Sequence, residues 1–79
     1  MTTQRTIKKI EQELGVKFSH NGRRYRTKAN GHDISFIDQN GLVICLHAKR
    51  SNEQSDPYTD YFPGCFFYTV KSLLESVQN

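Results

Sequence analysis

The chain has 79 residues, 35% hydrophobic and 24% charged, with four Tyr, five Phe and no Trp. That size leads to the expectation of one domain in these residues, and the composition excludes a disordered chain, since disordered chains lack aromatics and β-branched residues spread along their length. The net charge of +3 divides unevenly: residues 1–31 carry eight Lys or Arg against two Glu, a net +6, and residues 32–79 carry three against six acids, a net −3.

Such an asymmetry bears on partners and encounter, not on fold. The longest apolar run, Leu42-Val43-Ile44-Cys45-Leu46, is far short of the ~20 residues that cross a bilayer. Met1-Thr2-Thr3-Gln4-Arg5 opens without an apolar signal region, so the expectation is a cytoplasmic protein with no membrane partner. In a reducing compartment Cys45 and Cys65 read as small core hydrophobes, with a disulfide between them left open. A domain this small buries only roughly 60% of its unfolded surface, so nearly every large apolar residue is needed for packing.

In chain order, Thr2 or Thr3 can cap a helix whose apolar stripe is Ile7, Ile10 and Leu14, ending at Gly15; this predicts a helix over about Thr3–Leu14. Asn-Gly then occurs three times, at Asn21-Gly22, Asn30-Gly31 and Asn40-Gly41. This dipeptide favours the type I′ hairpin turn, in which both central residues take positive φ. The spacing predicts an antiparallel meander with strands Val16–His20, Arg23–Ala29, His32–Asp38 and Leu42–Arg50. Alternation places Val16 and Phe18, Ile34 and Phe36, and Leu42, Ile44, Leu46 and Ala48 toward one face. Val43 and Cys45 make the fourth strand apolar on its second face too, which predicts a central or partly covered strand. Ser51–Asp60 reads as a loop, Cys65–Tyr68 as a short strand, and Val70, Leu73, Leu74 and Val77 as the stripe of a second helix capped by Thr69. The expected fold is therefore α+β: an N-terminal helix, an antiparallel meander of four to five strands, and a C-terminal helix packed with the first on one sheet face, all in one domain.

Two surfaces are candidates for binding. If Tyr25 faces the core, Arg24, Arg26 and Lys28 project from the opposite face about 7 Å apart, a row that suits phosphates. Lys17, Arg23 and His20 around the first hairpin, and Arg5, Lys8 and Lys9 on the helix, would extend this basic ridge. Its alternative reading is a solvated strand whose charges protect a sheet edge. The second surface is the loop Asp56–Gly64, where Asp56, Tyr58, Asp60, Tyr61 and Phe62 combine the aromatics and carboxylates that anchor protein interfaces. Its alternative is a lid in which Tyr61 and Phe62 fold back on a small core.

Chemistry is harder to find. Asp56 and Asp60 lack the further ligands of a calcium loop and suit turn or capping duty. His20, His32, His47, Cys45 and Cys65 have no zinc-ligand spacing. There is no Gly-x-Ser-x-Gly elbow, Cys–His–orienter set or glycine-rich phosphate loop, so no catalytic residue, metal or cofactor is expected. The segment Pro63-Gly64-Cys65-Phe66-Phe67-Tyr68 is superficially like the RNA-stacking strand of an RRM. Its order of elements differs, and its glycine follows proline rather than Lys or Arg.

The segments Ile34-Ser35-Phe36-Ile37-Asp38 and Ser55-Asp56-Pro57-Tyr58-Thr59-Asp60-Tyr61-Phe62-Pro63-Gly64-Cys65-Phe66 resemble small accessory domains of bacteriophages and conjugative elements. Such domains occur alone or within large polyvalent mobile-element proteins. The resemblance spans roughly half the chain and implies a phage or mobile-element origin and a non-enzymatic role. By analogy of size and setting it suggests an inhibitor that docks on a host protein or nucleoprotein complex, as anti-CRISPR proteins do. The first expectation is thus a docking protein using the Asp56–Gly64 loop, because the acidic C-terminal half and the Tyr-rich loop have no use on DNA. The alternative is a nucleic-acid-binding module using the basic ridge.

Overall fold

Thr2 closes the N-terminus of α1 (Thr3–Leu14), accepting from the Arg5 amide through its side chain at 3.4 Å, and Gly15 ends the helix in the left-handed region at φ 68°. The computed structural model describes residues 1–51 and 65–78, and within them α1 is followed by β1 (Ser19–Asn21), β2 (Arg24–Ala29), β3 (His32–Gln39), β4 (Leu42–Arg50), β5 (Cys65–Phe66) and α2 (Val70–Gln78). The strands form one antiparallel sheet in the order β1-β2-β3-β4-β5, an α+β meander as the turn spacing predicts.

Two of the three Asn-Gly pairs make the expected turn. Asn30-Gly31 (φ 51° and 75°) and Asn40-Gly41 (φ 54° and 83°) are two-residue loops with both residues at positive φ, between the directly paired Ala29–His32 and Gln39–Leu42. The first pair does not. Asn21 is itself a strand residue opposite Arg24, so the loop is Gly22-Arg23 with only Gly22 at positive φ, as in a type II′ turn. In consequence β1 covers Ser19–Asn21 rather than Val16–His20, and β2 starts at Arg24 rather than Arg23. Likewise β5 ends at Phe66, short of the expected Tyr68.

A larger correction concerns β4. Ile37 pairs with Ile44 and Ser35 with His47, so Cys45 and Leu46 together oppose Phe36: a β-bulge, with Cys45 at φ 55°. The extra residue inverts the alternation. Leu46 and Ala48, beyond the bulge, are buried as expected, but before it Val43 packs on the core while Leu42 and Ile44 stand 52% and 37% exposed on the other face. Cys45 is likewise an exposed free thiol and not a core residue.

Both helices pack on one face of the sheet. Ile10 of α1 and Leu73, Leu74 and Val77 of α2 meet Ala29, Ile34, Phe36, Leu46 and Ala48 of the strands. Tyr25 stacks on Phe36 at 5.1 Å and Phe18 meets Phe36 edge-on at 5.4 Å, so one buried ring organises the β1–β2 end. Polar ties fix the rest. Thr3 donates through its hydroxyl to Asp38, the Val43 amide donates to the Met1 carbonyl, and Asn30 Nδ2 donates to the Val77 carbonyl at 3.1 Å, joining a hairpin turn to the end of α2. Thr69 Oγ1 accepts from the Ser72 amide at 3.1 Å, the cap expected for α2. No helix among the described residues is long and apolar enough to cross a membrane.

Candidate functional site

With both helices on one side, the other face of the sheet is uncovered among the described residues. Directly opposed residues of an antiparallel pair share a face, so the register reads out what this surface carries. One row crosses all five strands: Ser19 opposite Arg26, Arg26 opposite Ser35, Ser35 opposite His47, and His47 opposite Phe66. On one side of it run Lys28, Asp33 and Lys49; on the other run Arg24, Ile37 and Ile44. The face carries a shallow groove of about 880 Å³, lined by most of these side chains together with Lys17 and Cys45.

The groove is cationic. Among the described residues, Lys17, Arg24, Arg26, Lys28 and Lys49 line it against one carboxylate, Asp33. Asp33 is already engaged: it lies 3.7 Å from Lys49 Nζ and accepts from the Ser51 hydroxyl at 2.8 Å, although Lys28 stands opposite it on β2. Arg24, Arg26 and Lys28 are all exposed, whereas Tyr25, Thr27 and Ala29, which alternate with them, turn to the helical side. Three cations thus stand about 7 Å apart along one strand with no carboxylate to satisfy them among the described residues.

At the far side of the groove the chemistry changes. The Phe66 ring lies 4.9 Å from the His47 ring and is 64% exposed, while its neighbour Phe67 turns inward to pack on the core. Two rings, one aromatic hydrocarbon and one imidazole, therefore close the row that begins with Ser19 and Arg26.

The basic ridge read from the sequence is thus assembled in part. Lys17, Arg24, Arg26 and Lys28 share the groove. Arg23 does not: it sits in the hairpin loop, its carbonyl accepting from the Asp38 amide at 2.8 Å. His20 leaves the ridge as well, because it pairs with Tyr25 on the helical side, rings 5.2 Å apart. The α1 cations do not extend the row along the sheet. Lys9 pairs with Glu13 at 3.2 Å, and Arg5 and Lys8 line a second cleft with Gly15 and Val16 that meets the groove at Lys17. Asp56, Tyr58, Asp60, Tyr61 and Phe62, the candidate docking loop, lie outside the described residues.

Alternation and motif spacing do not mark Phe66, His47, Ser35 and Lys49 as residues of a binding face. Period-two reading of Cys65-Phe66-Phe67 could have turned Phe66 outward, but nothing local to either strand tells which residue of β4 it meets. Among the described residues no group of three metal-ligating side chains converges. Comparison with family models, curated proteins and solved structures finds no match to this chain.

Proposed function

We propose that the protein is a non-enzymatic nucleic-acid-binding module whose binding surface is the open sheet face. The observation that carries this reading is the column Arg24, Arg26 and Lys28, exposed on one face, aligned along one strand, and left without carboxylate partners among the described residues. A phosphate backbone is the ligand whose regular negative charge fits such a column, with guanidinium forks able to take two oxygens each. Lys17 carries the positive surface round the sheet edge to Arg5 and Lys8. In the phage or mobile-element setting that the resemblance implies, such a face would seat the protein on the nucleic-acid part of a host complex. The protein-docking reading keeps its own surface, the Asp56–Gly64 loop, and is what failure of nucleic-acid binding would favour.

The test is fluorescence anisotropy of labelled DNA and RNA at low and near-physiological salt. With three to four phosphates engaged, log affinity should fall with log salt at a slope of roughly −2 to −4. Absence of binding at low salt would refute the reading.

A further inference from the structure

The row from Arg26 to Phe66 says more than that the ligand is anionic. Resting on the nucleic-acid reading, we infer that the ligand is an unpaired strand, with a base stacked on the Phe66–His47 ring pair and its phosphates on the Arg24–Arg26–Lys28 column.

Three observations lead there. First, the rings and the cations share one face, and Arg26 shares a register row with the rings, with only Ser35 between Arg26 and His47. At the usual strand separation His47 is roughly 10 Å, and Phe66 roughly 15 Å, from the β2 column, so bases reaching away from phosphates on that column project toward the rings. Second, Phe66 is supported from one side by His47 yet keeps 64% of its surface open, in a small chain where Phe36 is buried and Phe18 and Phe67 pack against the core. A ring held in place with its surface uncovered is a platform. Third, the row is apolar on one flank, where Ile37 and Ile44 face each other across β3 and β4, while the Asp33–Lys49 pair lies on the other.

A duplex cannot use this arrangement. Its bases are already stacked on each other, and only a splayed or unpaired base can present its ring to a side chain on a sheet. An aromatic platform also discriminates little among sequences, because every base has a π-face. The inferred ligand class is therefore single-stranded nucleic acid with weak sequence preference.

The experiment uses the full chain with labelled single-stranded DNA and RNA of mixed sequence and with the matching duplex. Wild-type protein should bind single strands at least about tenfold more tightly than duplex. Phe66→Ala should weaken single-strand binding about 5- to 150-fold, the range for loss of one base–aromatic stack, and leave duplex binding and the salt slope unchanged. Because the chain has no tryptophan, Phe66→Trp adds a single reporter: its emission should be quenched by a single strand and not by duplex. Melting of each variant by circular dichroism shows that the fold is kept. Salt-steep binding of both ligands that Phe66→Ala does not alter, with no quenching in Phe66→Trp, would overturn the stacking inference while leaving the nucleic-acid reading in place. No binding of any of them at low salt would overturn both.

Discussion

Arg26 and Phe66, forty residues apart in sequence, lie on one row across the sheet, separated only by Ser35 and His47. Neither residue suggests a site alone: an exposed arginine and an exposed phenylalanine are each common on protein surfaces. Set on the same face, with the helices on the other, they make a groove that pairs charge with aromatic surface.

Charge reversal should separate binding from folding. Arg24→Glu combined with Arg26→Glu is expected to weaken nucleic-acid binding by on the order of 100-fold or more at low salt, since two phosphate contacts become two repulsions. Both side chains are exposed, so stability should change by no more than about 0.5 kcal/mol per site, a few degrees in Tm. Anisotropy and thermal melting of the same preparation check the two halves.

The bulge makes a prediction about strand phase. Leu46→Ala, in the core, should cost about 2–5 kcal/mol, whereas Leu42→Ala, on the open face, should cost under about 1 kcal/mol. Urea titration distinguishes this from uninterrupted alternation, under which the two substitutions would be equally damaging.

Cys45 holds a left-handed conformation that costs a non-glycine residue about 1–2 kcal/mol. Cys45→Gly removes that strain but adds unfolded-state freedom of about 0.5–1 kcal/mol, so it should be near neutral or slightly stabilising. Cys45→Val, β-branched in the same conformation, should lose about 1 kcal/mol or more. Chemical denaturation of the pair gives the sign directly.

Much of the fold was legible because its signals are local. Thr2, the Ile7–Ile10–Leu14 stripe and Gly15 delimit α1 within fifteen residues, and Asn30-Gly31 and Asn40-Gly41 place two hairpins whose turns require positive φ. The misreadings arise where pairing decides. Asn21-Gly22 carries the same dipeptide, yet Asn21 belongs to the ladder and the turn moves one residue on. Cysteine gives no warning of a bulge, as a glycine or asparagine at position 45 would, so simple alternation puts Leu42 and Ile44 on the wrong face. Of the site, the β2 cations followed from simple alternation about Tyr25. Phe66 and His47 did not, because their partnership depends on the register of two strands joined by a long connection.

A last stability prediction concerns α2, whose Leu73, Leu74 and Val77 supply a third of the buried apolar residues among those described. Thr69→Ala removes the acceptor of the Ser72 amide and should cost about 0.5–2 kcal/mol, read as a lower urea midpoint with an unchanged slope.

The most direct test of the open face is a titration of isotope-labelled protein with a short single-stranded oligonucleotide, followed by amide chemical shifts. The largest changes are expected at Arg24, Arg26, Ser35, His47 and Phe66, with the buried positions of α1 and α2, such as Ile10 and Val77, nearly still. Changes confined to the helical side, or no change at low salt, would contradict the assignment of this face as the binding surface.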